Sequence, residues 1–136
     1  MASANPLLIE EDIQGISQIE TIVTKVVHRF NLSNDMQGNI LISLTEAVNN
    51  AIIHGNKNDK NKCVKLKITQ ESTKLAFSVS DEGTGFDHTK LPDPTLPENL
   101  LKLSGRGVFL IHQLCDAVTY QDQGRTVEMH FHICTL

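Results

Sequence analysis

From Ile16 to Phe30 apolar residues recur every three or four positions: Ile19, Ile22, Val23, Val26, Val27 and Phe30. That spacing lines one helix face. A second helix is expected from about Asn34 to His54, with Met36, Ile40, Leu44, Val48, Ala51 and Ile52 as its apolar set. Asn34 or Asp35 would cap its start, and Gly55 stands where it would stop. The period then changes to two. Val64, Leu66 and Ile68 alternate with Lys65, Lys67 and Thr69, and Leu75, Phe77 and Val79 alternate with small or polar residues. The short ESTK connection between these runs predicts a hairpin. Val127, Met129, Phe131 and Ile133 form a third alternating run, and AVTYQ (117–121) would pair with it across the polar QDQGR turn. LLIE, at 7–10, is a candidate first strand. The strands read as an antiparallel sheet with one buried face. The two early helices, and a third from about Gly107 to Cys115, would cover that face and make a two-layer α/β sandwich of the α+β kind.

Residues 87–104, DHTKLPDPTLPENLLKLS, fit neither period and carry Pro92, Pro94 and Pro97. A loop this long in a compact domain is usually a lid, a binding loop or disordered. The length, 136 residues, predicts a single domain over 1–136. A net charge of −4 gives no overall pull toward nucleic acid or anionic lipid. Aromatic residues are sparse and Trp is absent, which argues against base-stacking platforms. The start, MASANPLLIEED, lacks the basic and apolar regions of a secretory leader, and no run reaches membrane-spanning length. Cys63, Cys115 and Cys134 are odd in number and show no CxxC spacing. Free thiols and a cytoplasmic location are the expectation.

Three stretches carry candidate chemistry. In EAVNNAIIHG, 46–55, two asparagines sit mid-helix, where asparagine is a mediocre choice. Glu46, Asn50 and His54 are spaced i, i+4, i+8 and would share one face. A carboxylate and an amide oxygen one turn apart suit Mg²⁺, a hard cation that prefers oxygen ligands; a solvated polar face fits the pattern as well. In DEGTGF, 81–86, Gly83 and Gly85 would let the backbone pass close to a ligand, and Asp81 at the strand end can accept from an exocyclic amine. Alone, that stretch equally fits an ordinary acidic turn. In SGRGVFLI, 104–111, glycines precede an apolar helical run, which is either a plain helix entry or an anion site built of bare amides. No P-loop, no GxGxxG between strand and helix and no kinase HRD or DFG is present. His130 and His132 at i, i+2 lack a convincing metal partner and read as a polar strand face.

In this order the three stretches closely resemble the N box and the two glycine boxes of the GHKL ATPase superfamily. Within it, the best match is the stand-alone anti-sigma factor/serine-protein kinase group (SpoIIAB/RsbW-like), over nearly the whole chain. The resemblance implies a Bergerat fold, with a mixed, mostly antiparallel sheet and an ATP lid at about 87–104. It implies ATP and Mg²⁺ as cofactors. Asn50 would coordinate the metal, Glu46 would be the general base or orient the acceptor, and Asp81 would accept the adenine amino group. Gly83 and Gly85 would let the chain pass under the base. Gly105 and Gly107 would give backbone amides to the phosphates. Thr126 would help hold Asp81 and a water at the adenine, although Arg125 stands where relatives often have another threonine. Arg106 departs from the group's usual uncharged residue and is a further candidate for phosphate contact.

The function implied is transfer of the γ-phosphoryl group to a Ser or Thr of a STAS-type anti-anti-sigma partner by a protein that also binds a sigma factor, without direct nucleic-acid or membrane contact. Relatives are commonly homodimers. A competing expectation is a nucleotide-gated binding module that sequesters a regulatory protein without transfer; the intact Glu46 speaks against it. The ATP-binding half of a sensor histidine kinase is disfavoured, because His28 is followed by Arg29 and Phe30 and the chain has no room for a phosphoacceptor helical domain.

Overall fold

The computed structural model describes residues 7–83 and 110–133. Strand β1 (Leu7–Ile13) leads into helix α1 (Ile16–Phe30) and helix α2 (Asn34–Asn50). A π-helical turn, Ala51–Gly55, follows. Strands β2 (Val64–Glu71) and β3 (Lys74–Ser80) form a hairpin around Ser72 and Thr73. Residues 110–114 before β4 are helical, and the expected start at Gly107 lies outside the described residues. Strand β4 (Ala117–Gln121), a short 3₁₀ turn (Asp122–Gly124) and strand β5 (Thr126–His132) end the described chain.

The described strands form one sheet in the order β1-β2-β3-β5-β4, and every pairing among the described residues is antiparallel. The period-two alternation sends Leu66, Ile68, Leu75, Phe77, Val79, Met129 and Phe131 into the core, where each is at most 2% exposed. The register stacks them across strands: Leu66 on Val79, Ile68 on Phe77, Phe77 on Met129, and Leu75 on Phe131. Phe77 and Phe131 meet edge to face, with centroids 5.6 Å apart, an arrangement that aromatic quadrupoles favour. Ile19, Ile22, Val23 and Val26 from α1 join Ile40, Leu44, Ala47 and Val48 from α2 in the same core. Ile111 enters it from the helix at 110–114.

On the other sheet face Lys65 and Lys67 both reach Glu10, at 3.6 and 4.0 Å. These exposed pairs keep that face polar and add little stability. His130 Nε2 lies 2.8 Å from Glu128 Oε1 on the same face, so this histidine is satisfied within its own strand. No helix among the described residues is long and apolar enough to cross a membrane.

Two local expectations are corrected. The cap of α2 is Ser33, not Asn34 or Asp35; its hydroxyl accepts from the amide of Met36 at 3.1 Å. Ser33 has extended backbone, as a cap requires, while Asn34 and Asp35 already lie within the first turn. Nor does α2 run unbroken to His54. It ends as an α-helix at Asn50, and the chain widens into the π turn, closed by an i→i−5 bond from the Asn56 amide to the Ala51 carbonyl at 2.7 Å.

Candidate nucleotide site

The candidate residues come from two places, the C-terminal end of α2 and the end of β3. On α2, Glu46 and Asn50 lie one turn apart and are half-buried. Neither side chain makes a hydrogen bond or ion pair among the described residues. Two half-buried polar groups without partners among the described residues are well suited to an external one. The π turn displaces His54 from the helical repeat that would align it with Glu46 and Asn50, and His54 is exposed. Widened turns of this kind are frequent at functional sites.

The π turn carries Gly55 onto the end of β3. A methyl group built on Gly55 would overlap the carboxyl group of Asp81. One built on Gly83 would overlap the carbonyl oxygen of Gly55. Two backbones and one carboxylate therefore share a space that admits no Cβ at either glycine. The sequence pattern singled out Gly83 for close backbone approach and treated Gly55 only as a helix stop. The approach of each to the other could not be read from spacing.

Two hydrogen bonds hold Asp81. Its Oδ1 accepts the Gly83 amide at 2.8 Å, and its own amide donates to the Arg125 carbonyl at 2.9 Å. Burial pushes its carboxyl above the ordinary range. The Gly83 hydrogen bond and the positive charges of Arg125 and Lys62 pull the other way without prevailing. Oδ2 has no hydrogen-bond partner among the described residues. Such a carboxylate is suited to accept from a ligand's N–H group.

Thr126 is buried, but its hydroxyl does not bond Asp81. It lies 2.8 Å from Ser80 Oγ and donates to Asp122 Oδ2 at 3.0 Å. The cause is strand alternation. Ser80 pairs with Thr126 across the sheet, and Asp81 is the next residue along, so its side chain belongs to the opposite face. Gly85, Gly105, Arg106, Gly107 and the expected lid at about 87–104 lie outside the described residues.

The sequence reading missed Asn56. It is buried, and its amide binds both the Glu82 N–H and the Cys63 carbonyl. Asn58 and Asn61 in the same loop are exposed, and nothing in NKNDKNK distinguishes the three.

The donor set fits a magnesium nucleotide. The amide oxygen of Asn50 and the carboxylate of Glu46 are hard oxygen donors. No group of three or more His, Cys, Asp or Glu that could hold a metal ion exists among the described residues. A metal here would thus take most of its ligands from phosphate and water, the usual habit of Mg²⁺. The described thiols offer no alternative. Cys63 and Cys115 are free, and burial pushes the Cys115 thiol up to about 11.

A family model described as a histidine kinase-like ATPase domain matches residues 9–131. Proteins named serine-protein kinase RsbW from Staphylococcus aureus strains JH9 and Newman are 30% identical over 126 residues, covering 87% of this chain and 79% of theirs. The protein of that name from the bovine strain RF122 is 32% identical over 127 residues, with the same coverage.

Proposed function

Because the chain belongs to the histidine kinase-like ATPase domain family, we propose that it binds ATP with Mg²⁺ and phosphorylates a serine or threonine on a partner protein. The single observation that carries the reading is the interlock of Gly55, Asp81 and Gly83. It places a partly desolvated carboxylate beside backbone that carries no side chain, at the end of the helix bearing Glu46 and Asn50. The relatives named serine-protein kinases support the choice of acceptor.

Asp81 would accept the adenine amino group, and Gly83 and Gly85 would give the base room. Asn50 would lend its amide oxygen to the metal. Bound Mg²⁺ would neutralise charge on the phosphates. Amides of Gly105 and Gly107, with Arg106, would hold phosphate oxygens. Glu46 would orient the acceptor hydroxyl and take its proton. The acceptor oxygen would bond to the γ-phosphorus as the bond from that phosphorus to the ADP oxygen breaks. Transfer of this kind needs mainly positioning and charge stabilisation.

The acceptor in this reading is a STAS-type anti-anti-sigma factor, and the second partner is a sigma factor that the same protein holds inactive. Phosphorylation of the first would decide which of the two is bound. Incubation of the pure protein with γ-labelled Mg-ATP and a lysate of its source organism tests this, with Glu46→Ala alongside. One small acid-stable labelled protein, absent with the mutant, is the expected result. No label with either protein, once Mg-ATP binding has been measured separately, would instead favour a nucleotide-gated binder that sequesters its partner without transfer.

A further inference from the structure

Asn56 directly follows the glycine that meets Asp81, and the reading above gives it no role. It is 3% exposed in a loop whose neighbours Lys57, Asn58, Asp59, Lys60, Asn61 and Lys62 are all exposed. A buried primary amide needs partners at both ends. Oδ1 accepts the backbone N–H of Glu82 at 2.7 Å, and Nδ2 donates to the carbonyl of Cys63 at 3.0 Å. Its own backbone N–H closes the π turn on Ala51. The Glu82 side chain doubles the link, its Oε2 accepting from the Cys63 amide at 2.5 Å. The end of the α2 region, the approach to β2 and the turn after β3 therefore converge on one side chain.

Glu82 is the residue between Asp81 and Gly83. Its N–H cannot shift without carrying the Asp81 carboxylate on one side and Gly83 on the other. We propose that Asn56 is a positioning residue for base recognition: by fixing the Glu82 amide it sets where Asp81 meets the purine, and so how strongly the site prefers a 6-amino over a 6-oxo base. The inference rests on the assignment of Asp81 to the base. A carboxylate accepts from an exocyclic amine, whereas a 6-oxo group is itself an acceptor and cannot pair with Oδ2. Sites built around such a hydrogen bond discriminate by large factors. The discrimination needs the carboxylate held in place, and hydrogen bonds weaken steeply with misalignment.

The test is titration calorimetry of the full chain with ADP and with IDP, each with Mg²⁺, on the wild type, Asn56→Ala and Asn56→Asp. The aspartate keeps an oxygen for the Glu82 amide and loses the donor to Cys63. The wild type is expected to prefer ADP by about 100-fold or more. Asn56→Ala should lose at least roughly 10-fold of ADP affinity with IDP affinity changed by less than about 3-fold, so that the preference collapses; one charge-assisted hydrogen bond is enough to account for it. Asn56→Asp should recover part of the preference although it is less thermally stable than the wild type. If Asn56→Ala does not fold, Asn56→Ser is read in its place. A variant that melts earlier but keeps the wild-type ADP:IDP ratio would overturn the inference and leave Asp81 in its role. A wild type with no ADP preference would overturn the assignment of Asp81, and the role of Asn56 with it.

Discussion

The α-carbon of Gly55 can carry no side chain, because the carboxyl group of Asp81 already fills the position a Cβ would take. One residue closes the π turn after α2, and the other directly follows β3. Their contact joins the end of the site proposed for the metal to the end proposed for the base. Gly55→Ala should displace Asp81 while leaving α2 formed. The expected outcome is a loss of about 1.5–3 kcal/mol of ADP binding, the worth of a hydrogen bond to a charged group. Calorimetry with a far-ultraviolet circular dichroism control measures it. Unchanged affinity would separate the Gly55–Asp81 contact from nucleotide binding.

Asp81→Asn should pull stability and binding in opposite directions. Burial raises the carboxyl above the ordinary carboxylate value. A carboxyl that binds its proton more tightly when folded contributes most below its unfolded pKa, and that contribution is lost as pH rises through the folded value. At neutral pH the ionised Asp81 is thus a cost to the free protein. The amide keeps an acceptor for Gly83 without the charge. The nucleotide-free variant should melt above the wild type at pH 7, with the gap closing as pH falls below the carboxylate range. Its ADP affinity should be weaker by roughly 10- to 100-fold. Melting curves across pH, each with and without ADP, give both readings; a variant that melts below the wild type at pH 7 would contradict the desolvation argument.

Glu46→Ala removes a half-buried carboxylate that has no hydrogen bond or ion pair among the described residues. Alanine is the better helix former, so stability should change by less than about 0.5 kcal/mol. Mg-ATP affinity should stay within a few-fold. Phosphoryl transfer should fall by about 100-fold or more, the usual contribution of a general base. Single-turnover kinetics with the labelled acceptor would show it. A normal rate would mean that the hydroxyl is activated by another group.

Ser33→Ala tests the cap. Loss of the bond to the Met36 amide should cost about 1 kcal/mol of stability in urea denaturation. Alanine at Asn34, which is not the cap, should cost less. The reverse order would place the cap where the sequence pattern put it.

Much of this architecture was legible in the chain. The bounds of α1 coincide with its apolar repeat from Ile16 to Phe30. The alternation in β2, β3 and β5 gave the buried face correctly, because one polar face and one apolar face leave a strand no freedom of register. The misses were local or relational. Ser33 was passed over because three good capping residues stand in a row and only backbone geometry separates them. The π turn left no mark, since it alters which carbonyl an amide meets and not which side chains are apolar. Asn56 looked like its exposed neighbours. The direct partners of Thr126, Ser80 and Asp122, depend on cross-strand register, which neither segment reveals alone.

The order of the strands bears on how the chain reaches this state. β2 meets β3, and β4 meets β5, across short turns, so both hairpins can close early and locally. The first strand is different: Leu7 pairs with Thr69, and zipping that edge means closing a loop of roughly 60 residues, whose entropy must be lost before the pairing repays it. The N-terminal strand is therefore expected to dock late. Mutations along β1, such as Ile13→Val, should accelerate unfolding more than they slow folding. The same segment that completes the sheet would be the first to peel away from it.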